Sequence, residues 1–211
     1  MTNRIRIRYQ NLTRTPSDIN EHLPTLSKYA SECESVFETG VRGCISSWAF
    51  ANGLLENNSD NEQKTLFMND IVLCDIQELL HETRDLPIKV DYEWKNNLEL
   101  ELTQTYDLTF IDTWHVYGQL KRELSKFAPM TNKYIIMHDT TVDEWIGETI
   151  RNGWDANAQS QTTGFPVEEI NKGLWPAIDE FLLNNKDWVL HERFTNNNGL
   201  TILRRCIFPF S

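Results

Sequence analysis

The chain has 211 residues, and its 20 Lys and Arg against 31 Asp and Glu leave a formal charge of −11. That length allows one domain with a sizeable core, and 40% hydrophobic with 24% charged residues is a globular composition rather than a disordered, collagen-like or disulfide-scaffold one. The excess of carboxylates repels a phosphate backbone and an anionic membrane face, which argues against nucleic acid and membrane as partners.

Residues 1–16 carry positive charge without the apolar stretch of a leader and read as a tail. Over 17–33, Ile19, Leu23, Leu26 and Ala30 predict a helix that Pro24 starts or kinks. Ser35 to Glu38 reads as a first strand, Ile45, Trp48, Ala49 and Leu55 as a helix over 45–56, and Thr65 to Asp70 as a second strand. Val72, Ile76, Leu79 and Leu80 predict the next helix, Ile88 to Val90 a third strand and Asp107 to Asp112 a fourth. Val116, Leu120, Leu124 and Phe127 form a helical stripe ending before Pro129. Tyr134 to Met137 is a buried fifth strand that runs into His138-Asp139-Thr140-Thr141. An irregular stretch follows, with 152–164 read as a loop, and then Ile170, Leu174, Ile178, Phe181 and Leu182 mark a helix. Asp187 to Leu190 and Leu200 to Leu203 flank Thr195-Asn-Asn-Asn-Gly199, whose residues suit a hairpin turn. This alternation predicts a single α/β domain over 1–211, with a mostly parallel sheet, helices on both faces and a closing antiparallel hairpin.

The cysteines Cys33, Cys44, Cys74 and Cys206 contain no C-x-x-C pair and read as reduced structural thiols. No stretch approaches the roughly 18 apolar residues of a membrane helix, so a cytoplasmic location is expected.

In an open α/β sheet, ligands sit at the carboxyl ends of the strands. The first end, Glu38-Thr-Gly40-Val-Arg42-Gly43, breaks into a glycine turn. A dinucleotide fingerprint from Gly40 needs glycine where Arg42 and Ile45 stand, and Glu38 opposes a pyrophosphate, which weighs against an NAD-dependent oxidoreductase. An acid before the turn suits a ligand with a cationic end, such as an ammonium or a sulfonium. Asp70, with Asp75 as its rival, ends strand two where a carboxylate can take ribose hydroxyls, or else it charges a helix N-terminus. Asp91 and Tyr92 stand near the third end, flanking an adenine or lying in a solvated loop. Asp112 and His115 close strand four, while His138 and Asp139 close strand five. On neighbouring strands, about 4.8 Å apart, these carboxylates share one small volume. There, one takes a proton or a hard divalent cation offsets both charges; the alternative is that each merely caps a helix.

These strand ends together resemble the class I S-adenosylmethionine-dependent methyltransferases. Asp112-x-x-His115 with His138-Asp139 is most similar to the metal-dependent sugar and small-molecule O-methyltransferases of the macrolide and cephalosporin-hydroxylase-like group. The resemblance implies a Rossmann-like seven-stranded sheet, with Glu38, Gly40 and Gly43 holding the methionine part of the cofactor and Asp70 the ribose. It also implies Mg²⁺ or Mn²⁺ on Asp112 and Asp139 and His115 as general base. His138 stands where the family often has an acid, and as a nitrogen ligand it tilts the metal toward Mn²⁺ or another transition ion. Cys44 stands near the place of the third family glycine.

The acceptor is expected to be a hydroxyl of a sugar or glycan, with a catechol-type small molecule as the alternative and a non-catalytic methyltransferase-like binding module as a further one. Trp114, Trp145 and Trp154 can stack on a pyranose face, and 152–164, with Asn152, Asn157, Gln159, Gln161 and Thr162, reads as a polar lid. A homodimer is compatible with this reading.

Overall fold

The predicted alternation of strands and helices resolves into a seven-stranded sheet in a computed structural model that describes residues 3–59 and 63–206. The strands are β1 (Ser35–Thr39), β2 (Lys64–Asp70), β3 (Ile88–Trp94), β4 (Tyr106–Ile111), β5 (Thr131–His138), β6 (Trp188–Phe194) and β7 (Leu200–Arg205). Their spatial order is β3-β2-β1-β4-β5-β7-β6. Neighbours pair in parallel from β3 to β5, and β7 runs antiparallel to both β5 and β6. The order reverses between β1 and β4, the place where such sheets bind ligands.

The nine α-helices among the described residues are α1 (Asn3–Arg14), α2 (Leu23–Ser31), α3 (Ile45–Glu56), α4 (Gln77–Thr83), α5 (Tyr117–Phe127), α6 (Glu148–Arg151), α7 (Ala156–Thr163), α8 (Val167–Asn171) and α9 (Trp175–Asn184). Side chains alternate across each strand, so β5 sends Ile136 into one core with Leu108, Phe110, Phe50 and Leu54. Ile135 and Met137 enter the other, with Leu120, Leu124, Ile178 and Phe181 of α5 and α9. None of the described helices is long and apolar enough to cross a membrane.

The structure departs from the sequence reading in several places. Residues 3–14 are helix rather than tail, because Ile5, Tyr9 and Leu12 recur at helical spacing and pack onto the core, leaving Ile5 only 1% exposed. The Arg8 guanidinium lies over the Trp48 ring, and Arg4 pairs with Glu82 at 3.0 Å. The 152–164 stretch contains α7, which the Asp155 carboxylate caps by accepting from the N–H groups of Asn157 and Ala158. The helix read through 170–182 is broken into α8 and α9 around Gly173, and the helix read from Val72 starts only at Gln77. β3 runs on to Trp94.

Candidate active site

β1 ends against β4, with the Asp112 amide donating to the Thr39 carbonyl at 2.9 Å. Gly40 turns the chain here with φ 89°, and a Cβ on it would stand 1.8 Å from the Asp112 carbonyl oxygen. Arg42 and Cys44 are also left-handed, with φ 42° and 59°. Gly43 is not, and a Cβ there would meet nothing closer than Ile45 at 3.8 Å. The turn's positive-φ positions are thus 40, 42 and 44, with Gly43, matched from the sequence to the cofactor loop, lying between two of them. Non-glycine residues in this conformation cost about 1–2 kcal/mol each; Asp70 holds Arg42, and the Cys44 amide donates to the Val41 carbonyl at 2.8 Å. Asp70 Oδ2 accepts from the N–H groups of Val41 at 2.8 Å and Arg42 at 2.9 Å, and its Oδ1 from Val72 at 2.9 Å. Arg42 itself reaches Asp18 at 2.6 Å.

The Glu38 carboxyl accepts from the hydroxyls of Ser46 and Ser47 in the first turn of α3. It is fully buried, and that burial pushes its pKa up to about 8 against those two hydrogen bonds. Asp91 is not at a strand end. It lies mid-strand in β3 opposite Phe67, paired with Lys89 at 2.5 Å, because β3 is longer than its apolar part. The turn after β3 instead contributes buried Asn97, which donates to Thr39 Oγ1 at 3.0 Å and to Glu123 Oε1 at 2.6 Å. Glu123, also fully buried, is not singled out by the sequence.

The β4–β5 pairing puts Ile111 opposite Met137, so the next residues of both strands meet. His115 Nε2 lies 3.2 Å from Asp112 Oδ1 and 3.1 Å from Asp139 Oδ2, and its Nδ1 lies 3.2 Å from Asp143 Oδ2 and 2.8 Å from Glu148 Oε2. His138 Nδ1 is 3.2 Å from Asp139 Oδ2 and 3.5 Å from Asp112 Oδ1. The structure thus brings Asp112, His115, His138 and Asp139 together, and it adds Asp143 and Glu148, which sequence reasoning missed. Their only signal was a run of acids, Asp143-Glu-Trp-Ile-Gly-Glu148, in the stretch read as irregular. Asp143 is buried and held by Arg151 through two bonds of 2.6 and 2.8 Å.

The electrostatics follow from four carboxylates around one imidazole. Burial opposes the charge of His115, but Asp112, Asp143 and Glu148 raise its pKa well above the usual range. Burial likewise opposes that of His138, and Asp112 with Asp139 pushes it up to about 10. Asp112 is held below the usual carboxylate range by His138 and His115 despite its burial. Two triads, Asp112–His138–Asp139 and His115–Asp139–Asp143, have ligand atoms close enough to share a cation. The buried Nδ1 of His138 has no hydrogen-bond partner while it faces two carboxylate oxygens, and an oxygen-and-imidazole donor set of this kind fits a divalent metal.

Trp114 stacks on Phe165 with ring centroids 6.0 Å apart. Trp145 and Trp154 are 59% and 48% exposed, beside exposed Val142, Ile146 and Ile150. The segment carrying them is pinned, since the amide of Glu148 donates to the His115 carbonyl at 3.1 Å and that of Gly173 to the Trp145 carbonyl at 3.0 Å. A separate cleft lined by Leu124, Ala128, Phe181, Trp188 and Arg205 lies toward the amino ends of the parallel strands, away from these groups.

No protein-family model matches the chain, and no curated protein matches it. Solved structures share its fold. An O-methyltransferase from Bacillus cereus, in complex with SAH, is 13% identical over 97% of this chain and 90% of its own, with a TM-score of 0.57. The O-methyltransferase TomG from Streptomyces achromogenes, in complex with SAM, is 11% identical over 91% of this chain and 82% of its own, with a TM-score of 0.55. The N-methyltransferase NodS from Bradyrhizobium japonicum WM9 is 12% identical over 90% of this chain and 97% of its own, with a TM-score of 0.56. The resemblance and the fold class expected from the sequence are borne out at the level of fold: this is the Rossmann-like sheet of the class I methyltransferases.

Proposed function

We propose that the chain is an S-adenosylmethionine-dependent O-methyltransferase, assisted by a divalent metal, acting on a hydroxyl of a sugar or glycan in the cytoplasm. The observation that carries this reading is the convergence of Asp112, His115, His138 and Asp139 at neighbouring strand ends, directly across from the left-handed turn at Gly40. The cofactor would supply an electrophilic methyl group on a sulfonium. Loop 40–44 and Asp70 are the residues to hold it, with Asp70 keeping one lone pair on Oδ1 beyond its bond from Val72.

Asp112, Asp139 and His138 are the residues to hold the metal, which would supply positive charge beside the acceptor oxygen and lower that hydroxyl's grip on its proton. His115 then takes the proton at Nε2. Its Nδ1 lies 2.8 Å from Glu148 Oε2 and 3.2 Å from Asp143 Oδ2, whose charges would stabilise the imidazolium that forms. Neutralising Asp112 and Asp139 removes two of the charges that raise the proton affinity of His115, which frees Nε2 to act as a base. The exposed rings of Trp145 and Trp154 offer stacking faces for a pyranose. The same segment also exposes Val142, Ile146 and Ile150, and this apolar surface favours a catechol-type acceptor as the second reading.

The test is transfer of labelled methyl from S-adenosylmethionine to a panel of sugars, glycosides and catechols, with and without EDTA. Metal-dependent labelling of a sugar hydroxyl is the expected result. Labelling of aryl hydroxyls alone selects the second reading, and no labelling with any acceptor overturns both.

A further inference from the structure

His138 is bracketed from behind by two parts of the chain that no strand-end argument includes. Its Nε2 lies 3.2 Å from the carbonyl oxygen of Asn197, in the turn between β6 and β7. The same oxygen lies 3.1 Å from Nε2 of His22, which is also 2.9 Å from the Asn196 carbonyl. The two imidazoles meet edge-on with centroids 5.7 Å apart, at 1% exposure for His22 and 2% for His138.

The turn is built to aim carbonyls inward. Asn197, Asn198 and Gly199 are consecutive left-handed residues, with φ 45°, 68° and 98°. The Asn198 carbonyl accepts from the amides of Thr141 at 2.9 Å and Val142 at 3.0 Å, just past Asp139. Gly199 packs so closely that a Cβ would stand 2.3 Å from Thr141 Oγ1. The Asn197 side chain ties the turn to the N-terminal segment: its Nδ2 donates to the Ser17 carbonyl at 2.8 Å, and its Oδ1 accepts from the Glu21 amide at 3.0 Å.

A carbonyl oxygen only accepts, so His138 must carry its proton on Nε2 to bond Asn197. In the neutral ring this leaves Nδ1 bare, and Nδ1 is the atom that faces Asp112 and Asp139 without a hydrogen-bond partner. A bare lone pair against two carboxylate oxygens is repulsive until a proton or a cation lies between them. We infer that the Asn197 carbonyl, braced by His22 and the 17–21 segment, is a positioning device that makes His138 an Nδ1 metal ligand. The N-terminal segment is thereby part of the metal site's outer shell. The inference rests on the metal-assisted reading above, and outer-shell partners of this kind are commonly worth 10–100-fold in metal affinity.

The experiment is Zn²⁺ titration of the full chain by calorimetry, together with ¹⁵N imidazole NMR of the Zn²⁺-loaded protein. His22→Phe removes the donor and keeps the ring, whereas Asn197→Gly keeps the left-handed backbone and removes both side-chain ties. The wild type should bind Zn²⁺ with His138 protonated on Nε2 and coordinated through Nδ1. Both variants should bind Zn²⁺ about 10–100-fold more weakly, with the melting shift on adding S-adenosylhomocysteine unchanged. His22→Gln, which restores an N–H donor, should recover most of the loss. Coordination through Nε2, or variant affinities within about twofold of wild type, overturns the inference while the metal reading stands. A wild-type chain that binds neither Zn²⁺ nor Mn²⁺ overturns both.

Discussion

Gly40 and Asp112 touch across two strand ends, with the position of a Gly40 Cβ lying 1.8 Å from the Asp112 carbonyl oxygen. This contact joins the turn assigned to the cofactor with the residue assigned to the metal, and it makes the register of that turn testable. Gly40→Ala should abolish Asp112-dependent metal binding and lower the melting temperature sharply, since both backbone conformation and space forbid the methyl. Gly43→Ala, with open contact around it, should change stability by less than about 0.5 kcal/mol. Thermal melts of the two proteins decide it, and equal losses would reject the 40, 42, 44 register.

The same turn predicts an unusual outcome at Arg42. Arg42→Gly removes a strained left-handed residue, which gains about 1–2 kcal/mol. It also loses an exposed ion pair to Asp18 worth about 0–1 kcal/mol and adds chain entropy to the unfolded state. The net change should lie within about 1 kcal/mol of zero, whereas Arg42→Val, β-branched, should destabilise by more than that in urea unfolding. Equal effects of Gly and Val would show that the left-handed conformation is not held in solution.

Glu38 makes a pH prediction with a definite sign. Its folded pKa of about 8 lies above its ordinary 4.5, so the folded chain binds the extra proton between those values. Its contribution to stability is fully present below pH 4.5 and is lost as the pH rises toward 8, by up to about 1.4 kcal/mol per pH unit. Glu38→Gln, which imitates the protonated acid toward Ser46 and Ser47, should flatten that part of the stability profile. Parallel profiles for the two proteins between pH 5 and 8 would mean that Glu38 stays ionised when buried.

The legible part of this site was the part carried by strands. Apolar runs ending in Asp112 and in His138-Asp139 announce both strands and their carboxyl ends, and adjacency of β4 and β5 does the rest. Asp143 and Glu148 reach His115 from a segment without periodicity, and Asn197 acts through a backbone carbonyl, for which any residue type would serve. Arg42 and Cys44 are left-handed although neither residue favours that conformation, and Arg42 is held so by contacts from Asp70 and Asp18, distant in sequence. Asp91 misled because β3 continues past its apolar core into polar residues. The N-terminal helix was hidden by its arginines, which flank rather than interrupt the stripe of Ile5, Tyr9 and Leu12.

Metal binding should register as stability before any turnover is measured. A ligand present at 100 times its dissociation constant stabilises the fold by about 2.7 kcal/mol, so Mn²⁺ should raise the melting temperature of the wild type but not of Asp112→Asn or Asp139→Asn. EDTA should reverse the shift and abolish methyl transfer. Equal Mn²⁺ shifts in all three proteins would remove these aspartates from the ligand set.

The acceptor prediction separates the base from the wall around it. His115→Ala should cut turnover about 10²–10⁴-fold with little change in cofactor affinity, because the ring touches Asp112, Asp139, Asp143 and Glu148 and none of the loop 40–44. Glu148→Gln removes the carboxylate 2.8 Å from Nδ1 and should lower turnover less, shifting the pH at which it half-falls rather than the KM for the acceptor. Trp145→Ala and Trp154→Ala should do the reverse. Both rings are exposed on a segment pinned by the Glu148 amide and the Trp145 carbonyl, so their removal should leave the fold intact and strip the stacking faces proposed for the acceptor. The acceptor KM should then rise by about tenfold, the equivalent of one stacking contact of about 1.4 kcal/mol, while the KM for S-adenosylmethionine and the melting temperature stay put. If both tryptophans can be removed with no change in acceptor KM, neither ring forms the wall of the acceptor site.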